Sequence, residues 1–240
     1  MTVGSLYSRV VLKISGESLS FAGTALHPRR FDEVAMSIAE VHDMGIDVIV
    51  VTGGGNIWRG VDAAGWQIST TWADMIGMYG TGFNIAALAA RLEHMHLPVE
   101  TLTRGNTTGL GDPYSTTKLG EALDHGKIVL IAGGMGVTGV STDVAAVSAA
   151  MDAHADTVIM AKYGVDGVYD RDPRRTEGAV FMPELNASDA LAKKLAVMDA
   201  TALTMAQAGK IPIHVIPADE TSGVRYVIEG KKFGSKILPE

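Results

Sequence analysis

Asp47-Val48-Ile49-Val50-Val51-Thr52 runs directly into Gly53-Gly54-Gly55-Asn56. The first six residues are β-branched and apolar almost without interruption. A strand with one face in water alternates apolar and polar residues; a continuous run predicts a strand buried on both faces, as in a parallel sheet. The glycines that follow predict a tight turn at the strand's carboxyl end.

The same syntax recurs on either side. The segment 9–14 (Arg-Val-Val-Leu-Lys-Ile) ends in Ser15-Gly16-Glu17, and 127–132 (Lys-Ile-Val-Leu-Ile-Ala) ends in Gly133-Gly134-Met135-Gly136. Between the strands lie helical patterns. After Pro28, residues Phe31, Val34, Ala35, Ile38, Ala39 and Val41 recur near a period of 3.6, and Gly45 ends the run. Further helices are predicted over about 71–94, shortly before 127, from the cap pair Thr142-Asp143 to about 151, over 188–195 and over 199–208. Weaker strands are predicted at 99–103, 157–161 and 213–216, and a helix near 223–229 closes the chain. Strand–helix alternation along nearly the whole length predicts an α/β fold with a mostly parallel sheet and helices on both faces.

Composition narrows the function. Of 240 residues, 47% are hydrophobic and 20% charged, and the formal net charge is −7. An acidic chain is a poor non-specific binder of nucleic acid or anionic membrane, so phosphate must be met by local devices. The absence of cysteine excludes disulfides, thiolate zinc sites and thiol nucleophiles. The longest apolar run, 128–140, has 13 residues with four glycines and a threonine, short of the roughly 18–20 a membrane span needs. With no apolar signal core in residues 1–9, the cytoplasm is the expected location.

Three glycine turns at strand ends predict a phosphate-rich ligand, because backbone amides there approach phosphate closely. No Walker A spacing occurs. Gly134-Met-Gly136-Val-Thr-Gly139 matches a dinucleotide fingerprint, but the next strand ends in Lys162 where that motif needs an acid. Lys13, a lone cation in an apolar strand, reads as a solvated strand end or as a phosphate ligand; Arg59 reads the same way. Asp143 and Asp199 read as helix caps, or as carboxylates that hold Mg2+ or orient Lys13. Trp58, Trp66 and Trp72 read as packing residues; the seven histidines are scattered, and His94-Met-His96, with no further ligand cluster, reads as surface.

Six stretches in order carry a resemblance: Lys13-Ile-Ser-Gly-Glu17, Gly53-Gly-Gly-Asn-Ile-Trp-Arg59, Asp74-Met-Ile-Gly-Met78, Ser141-Thr-Asp-Val-Ala-Ala146, Val165-Asp-Gly-Val-Tyr169 with Asp172-Pro173, and Val197-Met-Asp199. Together they resemble the bacterial uridylate kinase family of the amino acid kinase superfamily, over about residues 8–237. The resemblance implies a three-layer αβα sandwich forming a single domain. Its acceptor-binding lobe would span about 8–155 and its ATP-binding lobe about 156–237. It implies transfer of a phosphoryl group from ATP to UMP with Mg2+ carried by ATP, in a homohexamer.

By position, Lys13, Arg59, Asp143 and Asp199 are the implied catalytic residues. Lys13, Ile14, Ser15, Gly16, Gly55 and Arg59 match the ATP phosphate-binding elements, and Tyr163, Tyr169 and Asp172 the adenosine stretch. Gly54, Asp74, Met135, Gly136, Val137, Thr138, Gly139, Val140, Ser141 and Thr142 fall on the UMP side. Three positions depart from the family pattern. Tyr163 replaces the usual Asn or Thr. Val137-Thr138-Gly139-Val140 lacks the usual proline and aromatics, which predicts a looser acceptor loop. The elements used for GTP activation read Phe21-Ala-Gly-Thr-Ala-Leu26 and Leu102, with Arg104 two residues beyond. The rival readings are a superfamily kinase with another acceptor and a non-catalytic nucleotide-binding storage or sensor protein.

Overall fold

The structure, a computed structural model, describes residues 5–60, 63–105, 107, 109–173, 175–195, 198–220 and 222–240. Val197 of the Val197-Met-Asp199 motif lies outside the described residues.

The three strands with glycine exits form as expected: β1 (Arg9–Ile14), β2 (Asp47–Thr52) and, in the same central sheet, β5 (Ile128–Ala132). They are joined there by β3 (Val99–Thr103), β4 (Asp112–Pro113), β6 (Thr157–Lys162), β9 (Glu184–Asn186), β10 (Ile213–Pro217) and β11 (Ser235–Leu238). The order across this nine-stranded sheet is β4-β3-β5-β2-β1-β6-β10-β11-β9, and every ladder is parallel except β10–β11. A two-stranded antiparallel pair, β7 (Val168–Tyr169) with β8 (Phe181–Met182), stands apart.

Both faces of the sheet are covered. Val10, Leu12 and Ile14 of β1 and Val48 and Val50 of β2 pack with Phe31, Ala35 and Ile38 of α1 (Pro28–Asp43). Ile85, Leu88 and Leu92 of α3 (Thr70–His94) complete that layer, with α2 (Ala63–Trp66) preceding α3 in the chain. The alternate residues, Val11, Ile49 and Val51, pack on the other side. There they meet α4 (Thr116–Asp124), α5 (Thr142–Asp152), α6 (Ala187–Ala192) and α7 (Ala200–Ala208). Side-chain alternation with both faces apolar is what the unbroken runs required.

Two details differ from expectation. The chain does not end on α8 (Gly223–Ile228): it returns as β11, antiparallel to β10. In β11 only alternate residues are buried, so no continuous apolar run announces it. The cap of α5 is Ser141, whose hydroxyl accepts from the Val144 amide, and not the pair Thr142-Asp143. Asp143 lies inside the first turn, which releases its carboxylate for other work.

Because β5, β2, β1 and β6 are adjacent and parallel, their four exit loops line one edge of the sheet in that order. The β1-to-β2 connection runs through α1 on one face, and the β5-to-β6 connection through α5 on the other. The chain therefore changes direction around β1, and such reversals open a ligand crevice at the strands' carboxyl ends.

Candidate active site

Lys13 and Lys162 occupy that crevice. Both belong to the set of residues that faces α5, and β1 and β6 are paired side by side. Between them the first turn of α5 places Asp143. Lys13 Nζ stands 2.9 Å from Asp143 Oδ1, and Lys162 Nζ 2.8 Å from Oδ2. The side chains are 8%, 17% and 9% exposed for Lys13, Lys162 and Asp143, so this is a buried ion triad rather than a solvated strand end.

Burial alone would push the Asp143 carboxyl up. The charges of Lys13 and Lys162 overrule it and hold the group well below the usual carboxylate range. Burial pushes the Lys162 ammonium below its ordinary value, and attraction to Asp143 offsets only part of that. Asp199 caps α7, accepting from the Thr201 amide at 2.8 Å. Burial raises its pKa, but hydrogen bonds from Ser141 and Thr201 outweigh this and leave it lowered.

The β1 and β2 exit loops meet backbone to backbone. A Cβ on Gly16 would lie 2.7 Å from the Gly55 amide nitrogen and 2.6 Å from Asn56 Oδ1, so only glycine fits there. Asn56 and Asn84 of α3 exchange amide hydrogen bonds at 2.9 and 2.8 Å, and Asn84 also donates to the Gly53 carbonyl at 2.8 Å. This pair, with Asn84 fully buried and Asn56 partly so, fixes the β2 exit loop on α3. Arg59 is 56% exposed, and its Nε lies 3.8 Å from Glu17 Oε1.

Two cavities flank the triad. One, of about 440 Å3, includes Lys162, Tyr163, Tyr169 and Asp172 in its lining. The other, of about 280 Å3, is walled by Gly54, Gly55 and Trp58, by Asp74 and Thr81 of α3, and by Gly134, Val137, Val140, Ser141 and Thr142. Gly139 stands at its rim, its amide donating to Asp74 Oδ2 at 2.7 Å. The Met135 side chain turns away, against Arg104.

Several residues escaped the sequence reading. Lys162 was visible only as a basic residue where a dinucleotide site needs an acid. Asn84 is a fully buried amide within an apolar helical stretch, which is a signal in itself. The Trp58 indole N–H is buried without a partner while its ring lines the second cavity. Trp66 and Trp72, read as packing residues, are 71% and 60% exposed. His94 and His96 are exposed as expected, but His214 is buried and bonded to the Tyr7 hydroxyl at 2.8 Å.

A mostly parallel sheet between two helical layers, with glycine exits and a lysine–aspartate–lysine triad beside two cavities, defines a phosphoryl-transfer class of protein. The chain belongs to the amino acid kinase family, whose model matches residues 8–217. Uridylate kinases are among its similar relatives. It is 36% identical over 232 residues to uridylate kinase of Limosilactobacillus reuteri, covering 96% of this chain and 97% of the relative. It is 35% identical over 235 residues to that of Pediococcus pentosaceus, covering 98% of each. The crystal structure of UMP kinase from Bacillus anthracis superimposes with a TM-score of 0.93 at 34% identity, covering 98% of this chain and 97% of that one.

Proposed function

We propose that this protein transfers the γ-phosphoryl group of ATP to UMP, giving ADP and UDP for pyrimidine nucleotide synthesis. The observation that carries the reading is the position of the buried triad between two cavities, one suited to each nucleotide. The larger cavity, with Tyr163, Tyr169 and Asp172, takes the adenosine of ATP. The smaller one, with Asp74 and the loop through Val137, Thr138, Gly139 and Val140, takes UMP. Lys13, Lys162 and Arg59 then surround the transferring group. Fixed cations aimed at equatorial oxygens stabilise the spread charge of such a transition state. Asp143 aligns the two lysines, and the amides around Ser15, Gly16 and Gly55 receive phosphate oxygens.

Mg2+ fits this site as a companion of the nucleotide. Both Asp143 oxygens already face lysines, and among the described residues no group of three His, Asp or Glu could hold a metal. Glu17 and Asp199, the nearby carboxylates not spent on lysine, would hold the ion's water shell. When bound, Mg2+ neutralises charge on the phosphates.

The stripe Trp72, Tyr79 and Phe83 on the outer face of α3 leaves large apolar surface exposed, which supports self-association, with a homohexamer as the assembly we propose. Among the described residues no helix is long and apolar enough to cross a membrane; the cytoplasm, where both nucleotides occur, is the proposed location. An ADP-release assay with ATP against UMP, CMP, dTMP, glutamate and aspartate tests the function. Turnover confined to UMP supports it. Turnover with an amino acid alone would assign a different acceptor, and none with any would point to a storage or sensor role.

A further inference from the structure

The loop leaving β3 has no part in the proposed reaction, yet it lies directly against the acceptor loop. Arg104 opens it, its amide donating to the Ala132 carbonyl at the end of β5 at 2.9 Å. Its side chain is 8% exposed. The guanidinium carbon stands 3.9 Å from the centroid of the Tyr114 ring. Nη1 reaches Met135 Sδ at 3.1 Å, and Nη2 reaches Ser148 Oγ at 3.4 Å and Asp152 at 3.5 Å. The Tyr114 hydroxyl donates to the same Asp152 oxygen at 2.6 Å, so ring, carboxylate and guanidinium form one unit.

A buried arginine is costly, and this one spends its donors on a thioether, a hydroxyl and a carboxylate at 3.5 Å rather than on a tight bidentate partner. The arrangement is poor as a stability device and good as a brace. The loop it touches has little rigidity of its own. Gly133, Gly134, Gly136 and Gly139 all have positive φ, at 87°, 58°, 77° and 77°. What restrains it is contact with its neighbours. A Cβ on Gly136 would lie 2.6 Å from the Gly105 amide nitrogen, and one on Gly133 would lie 2.1 Å from the Arg104 carbonyl oxygen. On the far side the Gly133 amide donates to Thr81 Oγ1 at 2.9 Å and the Gly139 amide to Asp74. Met135, at the middle of the turn, is pinned by the guanidinium.

We infer that Arg104 is a positioning residue for the phosphate acceptor, fixing the 133–140 loop through Met135 and the Gly105–Gly136 contact while touching neither nucleotide. The inference rests on the reading of the smaller cavity as the UMP site.

The test is steady-state kinetics of wild type, Arg104→Met and Tyr114→Phe, with amide hydrogen exchange on the free proteins. Methionine keeps length and apolar contact but loses charge and fork. Arg104→Met should raise KM for UMP about tenfold, with KM for ATP within about twofold, and Tyr114→Phe should raise it about threefold, the scale of one or two hydrogen bonds. The amides of Gly136 and Gly139 should exchange faster in both, and those of β10 at the wild-type rate. An unchanged KM for UMP in a folded Arg104→Met, or equal rises for both nucleotides, overturns the inference. If Arg104→Met does not fold, Tyr114→Phe decides by the same two readouts. A wild type with no UMP kinase activity would instead overturn the acceptor reading, and loop exchange in the variants would still report whether Arg104 braces the loop.

Discussion

Replacing Asp143 by asparagine keeps the side chain's shape and removes its charge. Two ammonium groups at 2.9 and 2.8 Å, both largely buried, then lose the anion between them, and the new amide NH2 turns a donor toward one of them. Removing one partner of a buried ion pair costs about 3–5 kcal/mol, because the remaining charge stays desolvated. In a domain of this size each kcal/mol is worth about 2–4 °C in Tm, so the nucleotide-free variant should melt about 10 °C lower at neutral pH. Turnover should fall about 100-fold or more, since the lysines lose their alignment. ATP should raise the Tm of the variant more than that of wild type, because phosphate supplies the missing negative charge. The acid limb gives an independent check. Asp143's folded pKa lies below its ordinary value of 3.8. Its contribution is fully present above that value and is lost as pH falls through the folded one, so the stability gap should close in strong acid. Thermal melts with and without ATP, and urea denaturation against pH, measure all of this. A variant that melts within about 2 °C of wild type at pH 7, no more than the shift one surface pair could give, would refute the triad as a buried charge network.

Lys13→Ala should lower turnover about 100-fold or more while the fold survives on the apolar residues of β1; near-wild-type turnover in the folded variant would remove Lys13 from the mechanism. Asp74→Asn should raise KM for UMP and leave ATP binding intact by calorimetry, since it weakens both a ribose acceptor and the Gly139 latch; the reverse pattern would exchange the two sites. His214 is held neutral: burial, with the Lys236 charge adding, lowers its pKa from 6.5 to about 4. The unfolded chain therefore binds the extra proton between those values, and stability falls as pH drops from 6.5 to 4, by roughly 3 kcal/mol through this residue. Urea denaturation of His214→Gln should lack that loss; an identical pH slope would show that His214 does not carry it.

Local pattern exposed the strands whose two faces are both buried, because an unbroken apolar run has few other uses. It placed β1 and β2 to the residue and located the glycine exits. It also singled out Lys13, a lone cation inside an apolar strand, and Asp143, a carboxylate at a helix start. What it missed depends on pairing across long stretches of chain. Lys162 joins the triad only because β6 inserts beside β1, on the side away from β2. Arg104 was read only by its offset from an effector position, since nothing local shows that β3 lies beside β5. His214 drew no reading of its own, because nothing local shows that β10 is covered by Tyr7 from the other end of the chain. Trp66 and Trp72 were misread in the opposite sense: large aromatics normally mark a core, and here they face outward.

In the proposed reaction an acidic chain with a net charge of −7 would meet two polyanions with three cations concentrated at one sheet edge, and each cation has a resident carboxylate. The two carboxylates differ in kind. Asp143 is buried and held between two lysines, so it sets their geometry and would stay in place when nucleotide arrives. Glu17 stands 3.8 Å from Arg59, with the two side chains 29% and 56% exposed. A pair that open contributes little and breaks at little cost. On the proposed function Arg59 is thus parked rather than fixed, and an incoming phosphate, with more charge and more acceptor oxygens, would draw it off Glu17. The division follows from burial: the lysines on β1 and β6 are held in place before any ligand arrives, while the arginine on the β2 exit loop would be recruited with the substrate.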